Sequence, residues 1–240
     1  MTGLPPDLAE FALLTLIVAI GSAGQAVIGM GLNLFAIPLL VLLDPIYAPG
    51  PILTASLVLC LLALRRVPAR IDAAELRPAA LGLCAGTVLA ALVAMLVDAP
   101  TLARLLGAMV VLGVALALSG LSAPLTRTTL MAAGGGAGFL GTIAGVHAPP
   151  MALLYQGLAP DRVRGAMLTL IATGSVLSIA ALAMIGRFGM AQIVAALAML
   201  PGVLAGLWAA PVLARLIDAR LLRFLILAIS AISGARLALG

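Results

Sequence analysis

The sequence predicts an all-α polytopic membrane protein: one membrane domain made of two inverted five-segment repeats, with broken (discontinuous) helices near the midplane. Three observations predict it: a composition that only lipid can accommodate, apolar runs of span length, and two halves that resemble each other. Of 240 residues, 64% are hydrophobic and 9% charged, with a mean hydropathy of +1.30. No water-soluble core of this size could hide so much apolar surface. Runs of about 17 to 25 residues suit helices crossing a ~30 Å hydrocarbon layer and exclude an outer-membrane barrel. The 13 basic residues are all arginine, against 8 acids, for a net charge of +5. They lie singly or in small groups between apolar runs, with few aromatics among them, so they suit lipid headgroups and not nucleic acid.

The apolar stretches run in order at 8–30, 31–43, 50–64, 78–97 and 101–119, then 128–145, 147–157, 165–186, 189–210 and 221–239. Asp7 and Glu10 precede the first run without any basic residue, so that run is expected to be a retained span and not a signal peptide. Asp44-Pro45, Pro49-Gly50-Pro51, the polar stretch Arg65 to Arg77, Asp98-Ala99-Pro100, Ala159-Pro160-Asp161 and Asp218-Ala219-Arg220 separate the others. Cys60 and Cys84 fall inside apolar runs without CxxC spacing and are expected to be buried free thiols, so no metal site or cofactor is expected.

The division into repeats falls at 1–122 and 123–240. Gly24, Gly31 and Asn33 align with Gly138, Gly145 and His147, and Pro45 with Pro160 after one inserted residue. Further on, GLCAG (Gly82 to Gly86) meets GVLAG (Gly202 to Gly206), and Asp98-Ala99 meets Asp218-Ala219. Many transporters are built from such duplicated halves. With five segments per half and the second half inverted, ten arginines share one side and only Arg104, Arg187 and Arg236 lie opposite. Four merged spans per half would divide them seven to six. The positive-inside rule favours inversion, with both termini outside the inner membrane.

Segments 31–43 and 147–157 are too short to cross alone, and each follows a glycine-rich stretch: Gly21 to Gly31 in the first half, Gly134 to Gly145 in the second. Breaks at matching places mark a candidate substrate site, because unwound backbone in a membrane must be buried in protein or line a cavity. Gly29, Gly31, Gly141 and Gly145 permit close backbone approach. Pro149 suits the first turn of a new half-helix, whose N-terminal end favours an anion. All charged residues lie near span ends, so the remaining candidate ligands are neutral: Gln25, Asn33, Thr54, Thr142, His147 and Thr169. Ser22, Ser56 and Thr173 belong to the same polar set, and any of these hydroxyls can instead bond its own helix. His147 is the single histidine, able to act as a proton switch or to serve as a packing residue.

The two stretches GMGLNLFAIPLLVLLDP and GTIAGVHAPPMALLYQGLAP, one in each half, resemble the motif of the sulfite exporter TauE/SafE family of membrane permeases. The resemblance spans essentially the whole chain. It implies a secondary transporter for a small anion, often a sulfur-containing one such as sulfite or an organosulfonate. The expected partners are that anion and the lipid bilayer, and lipid-facing surfaces also permit a homo-oligomer. An anion channel and a non-transporting assembly subunit are the alternatives. An enzyme has little to stand on, for the chain lacks HExxH, GxSxG, a P-loop and a pair of intramembrane acids.

Overall fold

A computed structural model describes residues 8–67 and 71–239; Asp7 and Arg70, used above, lie outside the described residues. Among the described residues there are ten α-helices, one 3-10 turn and no strand. The helices are α1 (Leu8–Ile28), α2 (Leu32–Leu43), α3 (Gly50–Leu64), α4 (Ala73–Leu96), α5 (Ala99–Leu118), α6 (Arg127–Ala144), α7 (Ala148–Tyr155), α8 (Pro160–Met184), α9 (Met190–Leu216) and α10 (Ala219–Leu239), with the 3-10 turn at Pro45–Tyr47. Six of them, α1, α4, α5, α8, α9 and α10, are long and apolar enough to cross a membrane. Their outer faces carry exposed apolar side chains such as Leu89 and Met95 on α4 and Leu197 and Trp208 on α9. In water such faces would aggregate; in lipid they are solvated. The protein is therefore a multi-pass membrane protein.

The acids at the breaks act as helix starters. Asp72 accepts the Ala74 N–H at 2.9 Å and Asp98 the Thr101 N–H at 3.0 Å, occupying donors that a helix start leaves free. Asp44 does the same for the 3-10 turn.

Helix α4 packs along α6, and α1 along α9; α5 lies against α10, and α3 against α8. Exchanging α1–α5 with α6–α10 returns the same set of pairs. The closest approaches use glycine. A Cβ on Gly82 or Gly86 would run into the α6 backbone at Met131 and Gly135, and one on Gly206 into α1 at Ala19 and Ser22. Small residues let these backbones touch, which is how helices associate where lipid offers no hydrophobic drive. The helices correct one expectation: neither Gly21 to Gln25 nor Gly134 to Gly138 is a break, and α1 runs through the first stretch to Ile28. The α6 helix runs through the second to Ala144; Gly134 and Gly138 face the α4 backbone at Ala79 and Leu83, whereas Gly136 faces Pro150. A second correction concerns the cysteines. Both are free, but only Cys60 is buried; Cys84 lies exposed on α4.

Long-range bonds fix which helix ends lie together. Tyr47 donates to Glu10 at 3.1 Å, so α2 returns to the end where α1 began. Gly50 abuts Phe188, and Arg187 donates to the Val97 carbonyl at 3.1 Å, bringing the start of α3, the end of α4 and the start of α9 to that same end. At the other end, Tyr155 donates to Glu75 at 3.0 Å, Ala123 N–H to the Leu153 carbonyl at 3.3 Å, and Arg223 to the Ala117 carbonyl at 2.6 Å. The ion pair Arg162–Glu75 joins this second cluster. Thus α1–α2 and α6–α7 are helical hairpins that rise from opposite ends of the bundle.

Candidate functional site

The two hairpin tips meet inside the bundle. The α1–α2 tip is Gly29-Met30-Gly31, with Gly29 at φ 87° and Gly31 at φ 141°; in the α6–α7 tip, Gly145 has φ 69°. These values lie in the region that side-chain-bearing residues avoid, so glycine is what allows each chain to reverse so sharply. Asn33 Nδ2 donates to the Gly145 carbonyl at 2.7 Å, tying one tip to the other.

Between the tips is a cavity of about 10 Å³, room for about one water. Gln25, Gly31, Asn33, Gly145, His147 and Pro149 line it, together with Met30, Leu34, Val146, Ala148 and Ile171. Six of the residues expected at the site are thus brought together, from the two hairpins.

Each has a local reason for its position. Gln25 accepts the Leu32 N–H at 3.1 Å through Oε1, while its Nε2 donates to Ser56 Oγ at 3.3 Å and Cys60 Sγ at 3.2 Å. It therefore caps the start of α2 and fastens the α1 tip to α3. His147 fits a slot between glycines: a Cβ on Gly141 of α6 or Gly174 of α8 would overlap its ring. Its Nε2 lies 3.2 Å from Ser178 Oγ, which lies 2.7 Å from Thr142 Oγ1, and Thr142 donates to Thr87 Oγ1 at 3.3 Å. Thr142 and Gly141 are accordingly behind the histidine rather than on the cavity wall. Asn33 Oδ1 and His147 Nδ1 are buried without a partner. A buried polar atom without a bond costs about 1–3 kcal/mol. Asn33 Oδ1 accepts and would need a donor, whereas the second N–H of Asn33 Nδ2, and His147 Nδ1 when it carries a proton, can donate to a ligand reaching the cavity.

Three expected residues lie elsewhere. Thr54 and Thr169 donate to the carbonyls of Gly50 and Gly165 one turn earlier, spending their hydroxyls on their own helices. Gly29 packs on α8, where a Cβ would sit 3.2 Å from Arg164 Cα. Ser178, Thr87 and Gly174 were not anticipated. The small-residue run Thr173-Gly174-Ser175 and Ser178 one turn on was the available signal, but which face of α8 met the histidine was invisible in sequence.

The two helix starts differ in donor supply. In α2, the N–H groups of Asn33 and Leu34 have no carbonyl one turn earlier within the helix. In α7, Pro149 and Pro150 occupy the first turn and have no N–H at all. An anion would therefore be held by α2 and the Asn33 amide on one side, and by His147 on the other, rather than by two equal helix ends.

The family model Sulfite exporter TauE/SafE matches residues 13–237. The chain belongs to this family. Comparisons with curated proteins and with solved structures found no match. The TauE/SafE match covers both hairpin tips and every residue of the central cavity, and a membrane transporter is what such a bundle of apolar helices around a small polar cavity can be.

Proposed function

We propose that this TauE/SafE protein is a secondary carrier that moves a small anion, such as sulfite or an organosulfonate, across the inner membrane through the cavity between the hairpin tips. The observation that carries the reading is the meeting of Asn33 and His147 at a buried cavity without a carboxylate, where the two tips bond directly. A cation carrier would require acids at that depth. Here the donors are the α2 start, the Asn33 amide and the imidazole, all of which suit negative charge. The reading includes an inverted repeat with discontinuous helices near the midplane. The exchange symmetry of the helix pairs supports it, as do the hairpins rising from opposite ends.

The central cavity is too small for an oxyanion, yet a larger cavity lies beside each hairpin tip. One of about 190 Å³ touches Ala26 and Val27 next to the first tip; one of about 270 Å³ touches Thr142 and Ile143 next to the second. Opening one tip at a time would join the centre to one of these cavities and not to the other, which is alternating access and not a channel. The decisive experiment is flux into proteoliposomes, screened over sulfite, thiosulfate, organosulfonates and carboxylates. Uptake of at least one sulfur oxyanion, abolished in Asn33→Ala, is expected. Flux of carboxylates alone, or none at all from folded protein, would remove the reading.

A further inference from the structure

The 190 Å³ cavity carries a feature that the central site does not use. Arg66, at the end of α3, and Arg164, in the second turn of α8, both line it. No carboxylate lies within ion-pair distance of either among the described residues. Arg66 Nη1 makes one long contact, 3.4 Å, to the Leu207 carbonyl, and Arg164 Nε is buried with no partner. The remaining walls are apolar or small: Ala63, Val67, Ala210 and Ala214. Two arginines line a space large enough for an oxyanion, with spare N–H donors and, among the described residues, no carboxylate to neutralise them. The 270 Å³ cavity at the opposite end differs, for it holds one arginine, Arg187, already bound to the Val97 carbonyl.

We propose that the Arg66–Arg164 cavity is a second anion site, a vestibule that takes a small tetrahedral or pyramidal oxyanion before it reaches the central cavity. Guanidinium groups bind such oxygens by paired, charge-assisted hydrogen bonds. The α8 segment that carries Arg164 packs on Gly29, so the occupied vestibule would press on the tip that separates it from the centre. A lipid phosphate has the same chemistry as a free oxyanion. The free ion is the better fit because the cavity lies between α1, α3, α8 and α9, and Arg164 is half-buried in its wall.

Isothermal titration of the purified full-length protein with sodium sulfate, in a detergent with an uncharged headgroup, tests the site. Wild-type protein should bind sulfate, and the R66Q/R164Q pair should weaken it by at least about tenfold, while R66K/R164K retains part of the affinity. Arg66 is exposed, so Arg66→Gln alone keeps the test decisive should the pair not fold. Unchanged affinity in monodisperse Arg66→Gln and double-variant protein would overturn the proposal. Repetition in nanodiscs separates the sources: sulfate affinity should be equal with zwitterionic lipid and with added phosphatidylglycerol, and displacement by phosphatidylglycerol would assign the cavity to headgroups instead. Asn33→Ala should leave this binding intact, so loss of flux in that variant and loss of sulfate binding in the arginine variants report on separate sites.

Discussion

His147 shows how much a single side chain depends on its neighbours. It sits between two glycines, faces Ser178 and Thr142 from α8 and α6, and has the Asn33 amide across the cavity; no charged group among the described residues touches it. A protonated ring would lack a counter-ion there until an anion arrived, so anion and proton binding should be linked. For an organosulfonate, affinity should fall as pH rises, because the protonated ring is the form an anion favours, and His147→Gln should flatten the curve. A flat wild-type curve would return His147 to a packing role. Tyr47 offers a second titration outside the spans. Burial, then its hydrogen bond to Glu10, pushes its hydroxyl up to about 12. The neutral form is the one the fold favours. The tie between α2 and α1 should therefore persist below about pH 10 and be lost as pH rises toward about 12. In Tyr155→Phe protein, tyrosinate absorbance should appear near pH 12, and Glu10→Gln should lower the midpoint only partly because burial is the larger cause. A midpoint near 10 in the parent would contradict the buried geometry.

At the scale of elements, the tips and the helix contacts use glycine for different reasons, and substitutions should separate them. Gly145 has a positive φ, and a Cβ there would meet Ile37 Cδ1 on α2. Gly145→Ala should cost roughly 1–3 kcal/mol of stability through conformational strain and overpacking. Adding Ile37→Val removes the colliding atom and should restore part of the loss, leaving about 1 kcal/mol for the left-handed backbone. Equal thermal midpoints for single and double variants would mean the collision is not felt. Gly86 is helical and has no special φ; its value is the contact of α4 with α6. Gly86→Leu should force the helices apart and lower the thermal midpoint more than Gly120→Leu, although Gly120 has φ 65°, because nothing lies within 4 Å of a Cβ at Gly120.

For the molecule as a whole, the helix-end clusters carry different charge. Arg66, Arg162, Arg215 and Arg223 gather where α3, α5 and α9 end and α4, α8 and α10 begin, whereas the opposite end has only Arg104, near the start of α5, Arg187 and Arg236 among the described residues. The positive-inside rule then predicts that the first end faces the cytoplasm. A phosphatase reporter fused after Ser122 should be inactive and one fused after Leu239 active, since only exported phosphatase folds; the reverse pattern would invert the topology.

The sequence by itself determined the solvent, the number and approximate limits of the helices, the likeness of the halves, and the two places where the chain turns. These depend on composition, run length and local glycine or proline, all readable along the chain. Only the tertiary structure decided how the glycines divide between helix contact, ring slot and turn, that Ser178 serves His147 while Thr54 and Thr169 bond their own helices, and that Arg66 and Arg164 face one cavity. Those outcomes depend on the rotation and register of helices distant in sequence. In a chain apolar on nearly every face, hydrophobic periodicity carries little information about rotation; close contact of small residues sets it instead.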